Sequence, residues 1–275
     1  MNYLQAVILG IVEGLTEFLP VSSTGHLTIA EELMGLPVNS KSVTAFTAVI
    51  QTGAIAAVIV YFWIDIWRIA KSWVLGLVKP EYRGTFDHRM GWYVILGSIP
   101  IGIVGVLAKD FITGPLRSLW VVAIALIAWS AVMLYAESRA RQYRGEKDLG
   151  VKDAVVVGLV QCIALVPGVS RSGATISAGL LRGLDRVAAT RLSFFLSIPA
   201  LVAAGLFELK DAVDGNIGVG ETIVGTVVSF VVAYASIAWL LRFVAHHSIG
   251  KFVPYRVVLG LALILALSTG VLSAT

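Results

Sequence analysis

The sequence has 275 residues, of which 57% are hydrophobic and only 14% are charged, and its formal net charge is +4. Soluble domains carry a charge on about a quarter of their residues, so this composition excludes an ordinary soluble protein and indicates a membrane protein. The single cysteine, Cys162, excludes an intrachain disulfide and a cysteine metal cluster.

The first apolar segment, residues 4–20, is interrupted by two carboxylates and ends at Pro20. A turn rich in Ser, Thr and Gly follows, and then a second short segment at 24–36. Neither segment suits a full membrane crossing, so we predict a re-entrant helical hairpin that enters the membrane and returns to the same side. Irregular backbone at that depth is tolerated only inside protein or beside a water-filled cavity.

Six later segments are apolar, almost uncharged and long enough, or nearly so, to cross a hydrocarbon core of about 30 Å. We predict that each forms a spanning helix: 45–63, 92–108, 118–135, 193–207, 221–241 and 254–272. Two short segments, 154–166 and 172–183, surround a second glycine- and serine-rich turn and predict a second re-entrant hairpin. The predicted fold class is an all-α integral membrane protein.

The second half of the sequence repeats the first at an offset of 148 residues. GIVEGLTEFLPVSSTGH at 10–26 corresponds to GLVQCIALVPGVSRSGA at 158–174, which aligns Ser22 with Ser170. The aligned positions agree in apolar character but differ in their charged side chains. One turn is therefore suited to a cation or a proton, and the other to an anion.

Each repeat contains one hairpin and three spanning helices. An odd number of crossings inverts the second copy relative to the first. We therefore predict a single membrane domain, 1–275, that consists of inverted repeats at 1–136 and 150–275. Broken helices at matching positions of inverted repeats point to a site between them near the bilayer midplane.

Lys and Arg are distributed unequally between the two predicted faces. Sixteen of the 21 lie in connections that share one face. These connections are 64–91, 136–153, 183–192 together with Arg182, and 242–256, which includes Arg256. The positive-inside rule assigns that face to the cytoplasm and both termini to the outside. Aromatic residues near predicted helix ends are expected to lie at the membrane interfaces: Trp63, Trp92, Trp120, Tyr135 and Tyr255.

Two carboxylates lie in the first hairpin. Glu13 and Glu17 are spaced i, i+4 and share one helix face. In an apolar setting they repel each other, so they are expected to share a proton or to hold a cation, the alternative being solvation near the headgroups. His26 follows across the turn and could face the carboxylates as a general base, acid or nucleophile, or simply be a packed histidine.

The second turn, residues 167–175, contains Arg171, whose planar fork of donors suits phosphate oxygens. An arginine at a helix start opposes the helix dipole and needs an anionic partner, so an ion pair with Glu13 or Glu17 is the alternative. The turn hydroxyls can donate to a ligand or cap the helices. The candidate substrate-binding residues are Arg171, Ser22, Ser23, Thr24, Ser170, Ser172, Gly173 and Thr175.

These residue types together predict a site for a phosphate ester or a diphosphate with a divalent cation. Mg²⁺ is commonly held by one or two carboxylates, while substrate phosphates and water complete its coordination. Glu13 and Glu17 are the candidate metal ligands. The alternative is a transporter or flippase of lipid phosphate or another anion, because inverted repeats with broken helices are common in transporters.

The motifs EGLTEFLPVSSTGH at 13–26 and PGVSRSGAT at 167–175 resemble the two signature motifs of the undecaprenyl-diphosphate phosphatase family, also called the bacitracin-resistance family. The resemblance extends over the whole chain in length, hydropathy and motif position. It implies an enzyme of the bacterial cytoplasmic membrane that removes the terminal phosphate from a C55 polyprenyl diphosphate. This reaction recycles the lipid carrier for cell-wall synthesis and depends on Mg²⁺ or Ca²⁺, at an active site that opens to the outer face.

Transferred by position, the resemblance makes Glu13 and Glu17 the acidic pair, Ser23 and His26 the catalytic turn residues, and Arg171 the phosphate-binding arginine. Ser170 and Thr175 would assist from the second turn. The nucleophile stays open among Ser23, His26 and water. The expected partners are the polyprenyl diphosphate and membrane lipids, with no nucleic acid; a homodimer is compatible with the sequence, which leaves the oligomeric state open.

Overall fold

The computed structural model describes residues 1–38, 40–212 and 218–274, and its regular elements there are helical. Short turns and single turns of 3-10 helix connect the α-helices. In chain order these are α1 Tyr3–Thr16, α2 Ser23–Leu33, α3 Lys41–Tyr61, α4 Trp63–Val78, α5 Phe86–Leu107, α6 Lys109–Thr113, α7 Leu119–Arg139, α8 Val151–Gln161, α9 Arg171–Leu181, α10 Arg186–Ala212, α11 Val219–His246 and α12 Val253–Ser268.

Among the described residues, six helices are long and apolar enough to cross a membrane: α3, α5, α7, α10, α11, and α12 together with the 3-10 turn that begins at Ile249. Their mean hydropathy over the candidate spans lies between 1.7 and 2.2. Each coincides with one of the six predicted spanning segments. The prediction of an all-helical, multi-pass membrane protein is confirmed.

The helix α4 was not predicted, because its segment was assigned to a connection. Its charged residues lower the average hydropathy, yet its apolar residues recur with a helical period. Ile69 and Gly76 are buried on the side that packs against α5, while Trp63 and Trp67 are exposed. α4 is thus an amphipathic helix rather than a loop.

The first two helices form a hairpin, with α1 packed along α11. Gly10 lies against Gly225 and Gly14 against Ser229, so α1 and α11 run parallel. α3 also runs parallel to α11, and α2 leads from the turn back to the start of α3. The start of α1 and the end of α2 therefore lie at the same end of the molecule.

The start of α7 lies at this end too. Ser273 donates a hydrogen bond to Glu32 near the end of α2, and the Leu119 N–H at the start of α7 donates to the Ala274 carbonyl. The second hairpin, α8 and α9, begins beyond the other end of α7. The two hairpins therefore open towards opposite ends of the molecule.

A buried carboxylate closes the open end of the second hairpin. Asp153 lies near the start of α8 and accepts hydrogen bonds from Arg144 and Arg182. Arg182 directly follows the end of α9, and its Nε lies 2.9 Å from the Asp153 carboxylate. Burial alone would raise the pKa of Asp153, but the hydrogen bonds from Arg144 and from the Gly150 N–H hold that pKa below its ordinary value. These bonds fix α8 and α9 relative to each other.

Further ion pairs lie at the same end of the molecule. They involve arginines in the first turns of α10, which begins at Arg186, before its predicted start. Arg186 pairs with Glu137 (2.7 Å), and Arg191 pairs with both Asp65 (2.9 Å) and Glu146 (2.8 Å). The hydropathy pattern placed the start of this helix at residue 193 because of these arginines. Their carboxylate partners are distant in sequence, so the pattern did not reveal them.

Glycines bring each hairpin close to a spanning helix from the other half of the chain. Gly10 and Gly158 align in the sequence repeat. Gly10 packs against α11, and Gly158 packs against α5. A Cβ atom at Gly158 would lie 2.3 Å from the Gly97 carbonyl oxygen, whereas one at Gly102 would meet nothing within 4 Å.

We therefore expect Gly158→Ala to destabilise the fold by about 1–3 kcal/mol, because the added methyl group would collide with backbone that cannot rotate away. Thermal unfolding of the detergent-solubilised protein measures this loss. Gly102→Ala is the matched control on α5 and should cause no loss. Equal unfolding midpoints for the two variants would contradict the close packing of α8 on α5.

Candidate active site

The two turns of the hairpins have the same local geometry. Ser22 and Ser170 are the N-caps of α2 and α9, and their hydroxyls accept hydrogen bonds from the N–H groups of Gly25 and Gly173. Both serines have positive φ angles, 80° and 76°. Such a conformation costs a non-glycine residue about 1–3 kcal/mol and persists only where the surroundings impose it.

Hydrogen bonds between the turns supply that constraint. The Gly168 N–H donates to Ser22 Oγ (3.0 Å), and Ser170 Oγ donates to the Leu19 carbonyl (3.4 Å). Each capping serine thus bonds to its own helix and to the opposite turn. The hydroxyls of Ser22 and Ser170 are engaged in building the site.

Glu17 joins the two turns through its side chain. Its Oε1 accepts a hydrogen bond from Arg171 Nη2 (3.0 Å), and its Oε2 accepts one from Ser23 Oγ. Glu17 is only 7% exposed. Glu17, Ser23 and Arg171, three of the predicted catalytic residues, therefore meet at the Glu17 carboxylate. The ion pair between Arg171 and Glu17, which was the alternative to a ligand-binding role for Arg171, is present.

Arg171 keeps further donors inside the protein. Its Nε and Nη1 atoms are buried and have no hydrogen-bond partner among the residues that the structure describes. Leaving buried donors of a charged group without partners costs about 1–3 kcal/mol or more. These N–H groups can therefore receive the oxygens of an anion.

Glu13 lies one helical turn before Glu17 on α1 and is fully buried. The two carboxylates occupy the same helix face, as their spacing predicts. Within the described residues, no three His, Cys, Asp or Glu side chains come together in a group that could hold a metal ion. A cation at this pair would need oxygens from substrate or water as well.

The His26 ring has two close contacts. Its Nδ1 lies 2.7 Å from the Ser22 carbonyl oxygen, and its Nε2 lies 2.6 Å from the hydroxyl of Tyr255 on α12. The two rings stack with centroids 5.6 Å apart. His26 is therefore oriented by Ser22 and Tyr255.

The other candidate residues lie around the first turns of α2 and α9. Thr24 is exposed, whereas Ser172 and Thr175 are buried. The Ser172 hydroxyl lies 3.1 Å from Ser170 Oγ, and the Thr175 hydroxyl lies 2.6 Å from Ser193 Oγ on α10. Ser172 and Thr175 thus support the start of α9 in this structure.

Arg256, which is fully buried on α12, was not among the predicted site residues. Its Nη1 donates to the Pro20 carbonyl (3.0 Å), and its Nη2 donates to those of Gly168 (2.9 Å) and Val169 (3.2 Å). Nε donates to Ser130 Oγ in the middle of α7. Arg256 therefore holds the backbone of both turns.

The assignment of Arg256 to a charged cytoplasmic connection is wrong, and Tyr255 contacts the site instead of serving only as an interfacial anchor. Both residues are near the start of an apolar run, where position alone suggests a loop charge and an anchor. The available signal is that Arg256 is the one cation between residues 253 and 268. A cation inside such a run is expensive and indicates a buried role.

Replacing this cation should loosen both turns. We expect Arg256→Met to lower the thermal unfolding midpoint strongly, because three turn carbonyls lose a charged donor and each such bond contributes about 1.5–3 kcal/mol. The exposed Arg141 provides the control, since Arg141→Met removes the same charge from a connection. Equal midpoints for both variants in detergent would contradict this role of Arg256.

Comparison of the sequence with known proteins identifies one family. The family model described as bacitracin resistance protein BacA matches residues 6–262. A Streptomyces coelicolor protein named undecaprenyl-diphosphatase 1 is 60% identical over 269 residues, which cover 98% of this chain and 97% of the relative. An undecaprenyl-diphosphatase from Acidothermus cellulolyticus is 57% identical over 275 residues and the full length of both proteins. The chain belongs to the bacitracin resistance protein BacA family.

Proposed function

We propose that this protein is a membrane phosphatase that hydrolyses undecaprenyl diphosphate to undecaprenyl phosphate and inorganic phosphate. The product is the lipid carrier for cell-wall synthesis, and its recycling confers bacitracin resistance. The names of full-length relatives that are more than half identical support this activity. The structural observation that carries it is the state of Arg171: one nitrogen binds Glu17, while its buried Nε and Nη1 have no hydrogen-bond partner in the described part of the chain.

The site lies between two inverted repeats, each with one re-entrant hairpin and three spanning helices. Four observations support this interpretation: the equal N-cap geometry of Ser22 and Ser170, the equivalent contacts of Gly10 and Gly158, the opposite directions of the hairpins and the meeting of their turns. The repeats comprise residues 1–136 and 150–275. A transporter function has no observation in its favour here.

The active site opens to the outer face of the bacterial cytoplasmic membrane, where both termini also lie. The positive-inside distribution of Lys and Arg supports this orientation. The end of the molecule with the ion pairs of Asp153, Glu137 and Arg191 is then cytoplasmic. This orientation gives the enzyme access to carrier lipid at the outer leaflet.

Glu13 and Glu17 are the residues that would hold a divalent cation, Mg²⁺ or Ca²⁺, with substrate oxygens completing its ligands. The donor set fits such an ion, because hard cations prefer carboxylate oxygens and Mg²⁺ often takes only one or two from the protein. When bound, the cation offsets negative charge on the diphosphate. Glu13 is fully buried one helical turn from Glu17 on the same helix face, so both carboxylates would contribute to its binding.

The protein's own residues hold the diphosphate and manage the proton. Arg171 binds the phosphoryl oxygens through its free N–H groups, and Glu17 fixes the orientation of Arg171 and Ser23. A water oxygen attacks the terminal phosphorus while the bond from that phosphorus to the bridging oxygen breaks. His26 Nε2 accepts the proton that the water loses, and the bridging oxygen leaves on undecaprenyl phosphate.

Removing the guanidinium fork should abolish turnover without unfolding the protein. We expect Arg171→Lys to lower phosphate release from undecaprenyl diphosphate by at least about 100-fold, because a lysine keeps the charge but cannot bind two oxygens in one plane. Phosphate release by purified protein in detergent measures the change. Arg141→Lys is the control at an exposed arginine, and equal activity of both variants would remove Arg171 from the site.

Chelation should likewise stop the reaction. We expect EDTA to eliminate phosphate release, and Glu13→Gln to raise the Mg²⁺ concentration needed for half-maximal activity by about tenfold or more, because one charged ligand is lost. Glu81→Gln, at an exposed carboxylate on a connection, should leave this concentration unchanged. Full activity in EDTA, or an unchanged Mg²⁺ dependence in Glu13→Gln, would contradict the cation site.

A further inference from the structure

The hydrogen bonds of His26 define which nitrogen carries its proton. The Ser22 carbonyl oxygen can only accept, so the Nδ1 atom 2.7 Å away from it must carry a hydrogen. In a neutral imidazole the lone pair is then on Nε2. The Tyr255 hydroxyl, 2.6 Å from Nε2, therefore donates to that lone pair.

Tyr255 stacks on this ring from α12, with half of its own surface exposed. It occupies the first turn of α12, beside Arg256, whose guanidinium binds the carbonyls of both turns. The planes of the Tyr255 and His26 rings lie within 18° of each other. The position of α12, and with it the Tyr255 hydroxyl, is thus tied to the backbone that carries the site.

We propose that Tyr255 is a positioning residue for the reaction. It holds the ring of His26, whose tautomer the Ser22 carbonyl sets, in one orientation before the reaction, and its hydroxyl occupies the Nε2 lone pair until the attacking water replaces it. This inference rests on the proposed function of His26 as the proton acceptor. Tyr255 itself exchanges no proton with the substrate.

An imidazole that makes one hydrogen bond is freer to change its orientation than an imidazole that makes two. Without the Tyr255 hydroxyl, the ring keeps its contact to Ser22 but loses the partner that aligns Nε2. Misalignment of a catalytic group lowers the rate of the chemical step more than it lowers substrate binding. The Michaelis constant reports binding that depends on Arg171, which lies on the other turn.

The test is Tyr255→Phe, which removes one hydroxyl and keeps the ring. We expect kcat for undecaprenyl diphosphate to fall about three- to tenfold, with an unchanged KM and an unchanged thermal unfolding midpoint. In the His26→Ala background the same substitution should have no further effect on the residual rate. Tyr135→Phe, at an exposed tyrosine of α7, is the matched control and should behave as the wild type.

A second measurement is independent of turnover. The ¹⁵N chemical shifts of the His26 ring, assigned by their loss in His26→Ala, should report protonated Nδ1 and hydrogen-bonded Nε2 in the wild type. Tyr255→Phe should move the Nε2 shift towards that of a free lone pair. An unchanged spectrum, or an unchanged kcat, overturns the role of Tyr255.

The two levels of inference fail differently. An inactive wild-type protein with the expected ring shifts would overturn the proposed phosphatase function while supporting the orientation of His26 by Tyr255. An active wild-type protein whose rate survives His26→Ala would overturn both the role of His26 and the positioning role of Tyr255. If His26→Ala loses activity but Tyr255→Phe lowers the rate by the same factor in the wild-type and His26→Ala backgrounds, only the inference about Tyr255 is overturned.

Discussion

The structure depends on satisfying the backbone of two helices that break inside an apolar protein. A chain in lipid has no water to bind its free N–H and carbonyl groups, so broken helices need partners from the protein itself. Here each turn is the partner of the other. Gly168 donates to Ser22, Ser170 donates to Leu19, and Arg256 supplies the remaining donors. The contact between the turns that creates the site is therefore the same contact that makes both breaks tolerable.

One imino acid explains why these cross-turn bonds are not symmetric. Position 20 aligns with Gly168, whose N–H donates to Ser22. The equivalent bond to Ser170 cannot form, because Pro20 has no N–H group. The Ser170 hydroxyl instead acts as a donor to a carbonyl. Arg256 restores part of the symmetry, because it binds the carbonyls of both Pro20 and Gly168.

Sequence patterns could predict the parts of this structure that depend on local periodicity and repetition. Six apolar runs gave the spanning helices, and the offset repeat identified both broken segments and their polar turns. Three features depend on contacts with residues distant in sequence: the amphipathic helix α4, the early start of α10 and the burial of Arg256. An average of hydropathy over neighbouring residues carries no information about such contacts. Of the candidate site, Glu17, Ser23 and Arg171 do meet. The contact of Tyr255 with His26 could not be predicted, because it joins residues 229 positions apart on unrelated segments.

The two turns share one backbone geometry but differ in their side chains, and this difference decides what surrounds Glu17. Ser23 and Arg171 occupy the same position in the two copies, and each binds one oxygen of Glu17. The two turns thus provide one carboxylate with two hydrogen-bond donors, one neutral and one cationic. If both positions were arginine, two buried cations would compete for one anion. If both were serine, Glu17 would lose the countercharge that Arg171 supplies. The unequal pair neutralises Glu17 and still leaves donors on Arg171, which is the condition for holding an anion beside a buried carboxylate.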